Sequence, residues 1–145
     1  MEIRRVDSDA ELEDALSVRR TVFINEQGVP EHRELDGMDA EATHFVAYDD
    51  DEPIGTARLR RYDGDDRSTA KIERVAVIEA RRAEGIGRDL MCAVERAARE
   101  IGYEKLVLHA QVPVVSFYTE LGYKTVGEEF EDAGIPHREM TKVLR

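Results

Sequence analysis

Arg82-Ala83-Glu84-Gly85-Ile86-Gly87 is the stretch of this 145-residue chain whose residue types and spacing offer chemistry most directly. Gly85 permits unusual dihedrals, and Gly87 withholds a side chain at the first turn of the helix expected to follow. Amides left without partners at such a helix start, roughly Arg82 to Arg88, can hold a pyrophosphate, and both arginines can add charge-assisted hydrogen bonds. Two glycines at a helix start also serve as a packing device. The turn has neither the lysine and hydroxyl of a P-loop nor the full glycine and carboxylate pattern of a dinucleotide fingerprint.

Four histidines, at 32, 44, 109 and 137, lack metal-ligand spacing, so no metal is expected. Histidine titrates near neutral pH, so His109 and His137 can relay a proton or line an acceptor cavity; each can instead be a satisfied structural side chain. Arg58 and Arg60 fall on one strand face, where they suit an acceptor carboxylate, a coenzyme phosphate or a salt-bridged surface. Glu31, Glu34, Asp36 and Asp39 form a carboxylate-rich stretch expected to be solvated, with a cationic acceptor as the alternative.

Strand and helix patterns alternate along the chain. Strands are expected near Glu2–Val6, Ala42–Tyr48, Pro53–Tyr62 and Ala70–Val77, with a polar turn at Gly64 to Arg67 before the last of these. Ser8 with Glu11 makes a capping box ahead of a helix face at Leu12, Ala15, Leu16, Arg19, Val22 and Phe23. A helix over Gly85–Glu100 stops at Gly102, and a strand through Leu106 and Leu108 ends at His109-Ala110-Gln111. A short helix from Val114 and an antiparallel pair, Tyr123–Phe130 with His137–Leu144, close the chain. The reading is a single α/β domain over 1–145.

Hydrophobic residues make up 41% of the chain, enough for one compact core at this length. The formal charge of -11 disfavours nucleic acid and suits either a cationic substrate or a salt-rich cytoplasm. No apolar run is long enough to cross a bilayer and MEIRRVDSD is not a secretion signal, so a cytoplasmic location with no membrane partner is expected. Cys92, amid Leu90, Met91 and Val94, is expected to be a buried thiol; as the only cysteine it excludes an internal disulfide.

Val75-Ala76-Val77, then Arg82-x-x-Gly85-x-Gly87, then Gln111 and Phe117-Tyr118-x-x-Leu121-Gly122-Tyr123, together resemble the GNAT superfamily of N-acetyltransferases over nearly the whole chain. Glu26-Gln27, His109-x-Gln111 and Gly134-Ile135-Pro136-His137 make it similar to a small prokaryotic branch. The resemblance implies a mixed, twisted central sheet flanked by helices, with acetyl-CoA as donor in a central cleft. It implies that the Val75 to Val77 edge takes the pantetheine arm and that the Val75 amide faces the thioester carbonyl. The pyrophosphate is then placed over Arg82, Ala83, Glu84, Gly85, Ile86, Gly87 and Arg88.

Gln111 stands where the family commonly carries a cofactor-contacting asparagine. Tyr118 is assigned by the comparison to protonate the departing thiolate, with a packing tyrosine as the bland alternative. Glu73 is the preferred base or water orienter, because a residue two before Val75 shares its strand face. In related histone-acetylating enzymes the catalytic glutamate matches Lys71, which departs from this assignment. Glu26 is placed near the acceptor entrance, or is an exposed helix-end carboxylate. The implied reaction is direct acetyl transfer to a primary amine of a small molecule or peptide in a ternary complex. Rivals are a transferase of longer acyl-CoA and a noncatalytic acyl-CoA sensor; a homodimer is left open.

Overall fold

A computed structural model describes residues 1–62 and 68–144. The turn expected at Gly64 to Arg67 lies outside the described residues. The strands are β1 (Glu2–Arg5), β2 (Thr43–Asp49), β3 (Glu52–Arg61), β4 (Thr69–Val77), β5 (Lys105–Gln111), β6 (Lys124–Asp132) and β7 (Ile135–Val143). The helices are α1 (Asp9–Arg19), α2 (Glu31–Glu34), α3 (Ile86–Ile101) and α4 (Val115–Glu120). Seven strands form one mixed sheet ordered β1-β2-β3-β4-β5-β7-β6, antiparallel except between β4 and β5. The expected sheet flanked by helices is therefore present.

Local chemistry accounts for many element ends. The Ser8 hydroxyl accepts the Glu11 amide at 3.2 Å, and the Glu11 carboxylate reaches back to the Asp7 amide at 2.9 Å. That caps α1. Asp50-Asp51 and Ala133-Gly134 turn the two tight hairpins with positive φ at both central residues, 49° and 65°, then 53° and 75°. Such turns match the twist of the strands they join.

Ile86, Leu90, Met91, Val94, Ala97 and Ala98 recur at helical spacing and bury one stripe of α3 against Phe45, Ala57, Leu59 and Ile72. Gly55 lets this helix approach, since a Cβ there would lie 3.0 Å from the Leu90 side chain. Cys92 is exposed rather than buried, because its position points off that stripe. The opposite sheet face carries α1, whose Ala15 and Val18 pack with Val46 and Ala76.

Two departures from regularity open the molecule near its centre. β4 pairs with β5 only over Thr69 to Ile72, and beyond that the two strands separate. Just there β4 carries a bulge, with Arg74 at φ 56°, so that Arg58 faces Glu73 while Thr56 faces Ala76. A second irregularity follows α1, where Arg20–Glu26 winds as a π-helix whose Val22 and Phe23 carbonyls accept the Gln27 and Val29 amides. Wider winding of this kind is frequent at functional sites.

Candidate active site

The separated strands bound a cleft of about 1260 Å³ lined by residues of β4, β5, α4, the start of α3, the segment after α1, and β7. Its first wall is main chain. Ile78 donates its amide to the Ile54 carbonyl at 3.0 Å, so alternation along β4 turns the Val75 and Val77 groups away from β3, toward the cleft. The Val77 carbonyl accepts the Arg82 Nε at 2.9 Å on that same edge.

At one end of this edge lies the start of α3. Gly85 sits in the left-handed region at φ 84° and Ala83 at φ 66°, and no side chain caps the helix. The amides of Ile86, Gly87 and Arg88 precede the first intrahelical bond that this end makes, from Asp89 to the Gly85 carbonyl. The turn thus has the open donors that a pyrophosphate fits. Gly87 is needed for a protein neighbour as well, because a Cβ there would lie 3.2 Å from the Phe117 ring.

Arg82 is already engaged. Its two terminal nitrogens donate to the Glu26 carboxylate at 2.6 and 2.7 Å, and this pairing holds the Glu26 carboxyl below its ordinary value. Glu26, expected at the acceptor entrance, therefore stands beside the turn that opens α3. Arg88 lies on the surface, 3.9 Å from Glu120, and Glu84 pairs with Arg81.

Tyr118, on α4, forms part of the cleft wall. It is 8% exposed, stacked edge-on against Phe117 and Tyr123 with centroids 4.9 and 6.0 Å away. Burial raises its pKa, so the hydroxyl keeps its proton. Gln111, at the end of β5, exchanges hydrogen bonds with Gln27 at 3.0 and 3.4 Å, tying β5 to the end of the π-helix across the cleft.

Glu73 differs from expectation in orientation and in charge state. The bulge at Arg74 puts Glu73 on the face of Ala76, opposite the face of Val75 and Val77, so the same-face argument fails. Burial opposes its ionisation, but hydrogen bonding from Arg60 and the charges of Arg58, Lys71 and Arg60 override it and bring the pKa to about 2. Arg58 donates to Glu73 at 2.9 Å and Lys71 lies 3.3 Å away. A carboxylate so stabilised is a weak proton acceptor at neutral pH.

Arg58 is not a binding group for acceptor or phosphate either. It is fully buried, and its terminal nitrogens hold Asp36 at 2.9 and 2.8 Å, Asp39 at 2.9 Å and Glu73. Arg19, 1% exposed, holds Asp39 at 2.7 Å and Glu34, which also pairs with Arg74. Arg60 is committed to Glu73. The carboxylates Glu34, Asp36 and Asp39 are thus counterions that clamp the segment after α1 to the sheet; Asp36 and Asp39 keep part of their surface in solvent, but all three are paired with arginine rather than free for a cationic acceptor. Paired burial of this density is the condition under which such charges are tolerated.

His109 and His137 meet in the same cleft, on neighbouring strands and one on each side of Phe130, with ring centroids 5.0 and 5.9 Å from it. His109 Nε2 lies 3.1 Å from Glu139, and His137 Nδ1 lies 2.7 Å from the Ile135 carbonyl. Gln27, His32, Arg33 and Asp132 also line this region, the last two 3.3 Å apart across its mouth. Their sequence context, an irregular segment and a hairpin tip, gave no signal of convergence. Among the described residues no cluster of side chains suits a metal, and no described helix is long and apolar enough to cross a membrane.

The model of the acetyltransferase (GNAT) domain family matches residues 8–144. The chain belongs to the GNAT acetyltransferase family. Among GNAT relatives, the uncharacterised N-acetyltransferase YjcF of Bacillus subtilis is 41% identical, covering 93% of this chain and 94% of its own. The crystal structure of Escherichia coli ElaA superposes with a TM-score of 0.86 at 30% identity, covering 97% of this chain and 98% of that one. An acyl-CoA N-acyltransferase from Pseudomonas aeruginosa superposes at 0.85 with 27% identity, covering 98% and 99%. GNAT proteins transfer acyl groups from acyl-CoA, and the cleft described above lies at the heart of that fold.

Proposed function

We propose that this GNAT protein transfers an acetyl group from acetyl-CoA to a primary amine of a small molecule or peptide, by direct attack within a ternary complex. The observation that carries this reading is the splayed β4 edge, which shares one cleft with an uncapped helix start, a buried tyrosine and two histidines. One donor substrate reaches all three regions of such a cleft.

In this reading the amides from Ala83 to Arg88 hold the pyrophosphate, with Arg82 adding its charge once it turns from Glu26. The Val77 edge guides the pantetheine arm, and Gln111, braced by Gln27, contacts it. The Val75 amide donates to the carbonyl oxygen as negative charge develops there, which lowers the barrier without a covalent enzyme intermediate. Tyr118, held protonated by burial, gives its proton to the sulfur as the carbon–sulfur bond breaks. Glu73 stays ionised and orders water at the edge of the cleft, a role that needs no proton transfer.

A hydrolysis-corrected assay of thiol release with acetyl-CoA against polyamines, aminoglycosides, amino acids and peptides tests the reaction. Mass spectrometry of the product identifies the modified atom. Amine-dependent release with an acetylated nitrogen is expected. Tight coenzyme binding with no acetylated amine would favour the sensor, and faster turnover with longer acyl-CoA would replace the donor.

A further inference from the structure

We propose that His109 is the proton acceptor for the attacking amine and that Glu139 is its positioning residue. This rests on the acetyl-transfer reading above and names the base within it. The geometry makes His109 and Glu139 a dyad: they face each other in register across the β5–β7 pair, and His109 Nε2 lies 3.1 Å from the Glu139 carboxylate. A carboxylate only accepts, so the Nε2 hydrogen points at Glu139 and the lone pair of the neutral ring is left on Nδ1. That atom is not enclosed by protein and has no hydrogen-bond partner among the described residues. The ring lines the cleft, and its edge-on contact with Phe130 limits its rotation.

Three charged or titratable groups face this ring: Lys71 from β4, and Glu139 and His137 from β7. Burial first, then the Lys71 charge, lowers the His109 pKa despite Glu139, so the imidazole is neutral at neutral pH. His137 also keeps one ring nitrogen as an acceptor, but it is 8% exposed and its Nδ1 donates to the neutral Ile135 carbonyl, which stabilises an imidazolium less than the Glu139 carboxylate does. Glu73 is excluded by its three cationic neighbours.

The step balances within the proposed reaction. The amine nitrogen forms its bond to the acetyl carbon and the carbon–sulfur bond breaks. The nitrogen becomes acidic as the bond forms and loses a proton to His109 Nδ1, while the sulfur takes one from Tyr118. Exchange with water then returns the imidazolium and the phenolate to neutrality.

The experiment measures rate against pH with acetyl-CoA and the fastest amine of the panel named above, for the wild type and for His109→Asn, Glu139→Gln and His137→Asn. Wild-type kcat/KM is expected to fall on the acidic side with an apparent pKa below 6.5, the ordinary value. His109→Asn should lower kcat by about 10²-fold, remove that acidic limb and leave the coenzyme Kd unchanged. Added imidazole should restore activity to His109→Ala. Glu139 raises the His109 pKa, so Glu139→Gln should shift the limb to lower pH with a smaller rate loss, and His137→Asn should retain the limb. Nitrogen NMR of the wild-type ring should show hydrogen on Nε2 and none on Nδ1. An acidic limb that survives His109→Asn, or the opposite tautomer, overturns the dyad while amine acetylation stands. Failure to acetylate any amine overturns the reaction itself and the dyad with it.

Discussion

One part of the cleft offers main-chain groups from two adjoining segments, Val75 to Val77 and Ala83 to Arg88, proposed above to hold the donor, whereas the part proposed to take the acceptor offers side chains from four distant ones. Main-chain donors are fixed by local dihedrals, and one left-handed glycine is enough to aim them. Side chains from the segment after α1, from β4, from β5 and from the β6–β7 hairpin converge only when the whole sheet is assembled. The first part therefore depends on glycine at Gly85 and Gly87, and the second depends on a largely buried ion web for its shape.

The largest expected effect breaks that web. Arg58→Ala leaves Asp36, Asp39 and Glu73 without their shared partner and should destabilise the fold by about 3–5 kcal/mol, read by urea unfolding. A loss within the scatter of surface substitutions would remove the web's structural role. Acid should act on the same web. The Glu73 carboxyl titrates at about 2 when folded, below the 4.5 ordinary to an unfolded chain, so its contribution is full above that ordinary value. It should be lost as pH falls toward about 2, a decline that calorimetric unfolding can follow.

Tyr118→Phe should come next, with a loss in kcat on the order of 10²-fold and little change in coenzyme binding, since the ring and its stacking partners remain. Equal rates under chemistry-limited conditions would sink its role as proton donor. Gly85→Ala touches the donor end alone. It forces a Cβ into φ 84° at a strain of roughly 1–2 kcal/mol and should weaken coenzyme binding measured by titration calorimetry, with the urea midpoint lowered only modestly. The smallest effect is expected for Glu26→Gln. Removing the charge that engages Arg82 should tighten coenzyme binding a few-fold at low salt, and weaker binding would show that Glu26 assists the phosphate site rather than competing with it.

Much of the architecture was legible because it is local. The Ser8 cap, the strands on either side of the tight turns, and the stop of α3 at Gly102 all follow from residues within a few positions of each other. Cys92 misled because its apolar sequence neighbours are not its spatial ones, a helix turning about 100° per residue. Glu73 misled more consequentially. Strand alternation puts it beside Val75, and one extra residue at Arg74 reverses that.

Sequence by itself determined the α/β class, the strand edge, and the glycine turn that opens the amides at the start of α3. These are consequences of backbone geometry, which short-range residue choice controls. Only the tertiary structure decided that Arg58, Arg60 and Glu73 are bound to one another, that Glu26 occupies Arg82, and that His109 rests against Glu139 with its other nitrogen free of partners among the described residues. Each of those facts depends on burial and on a partner brought from elsewhere in the chain, and burial and partners set what an ionisable side chain can do.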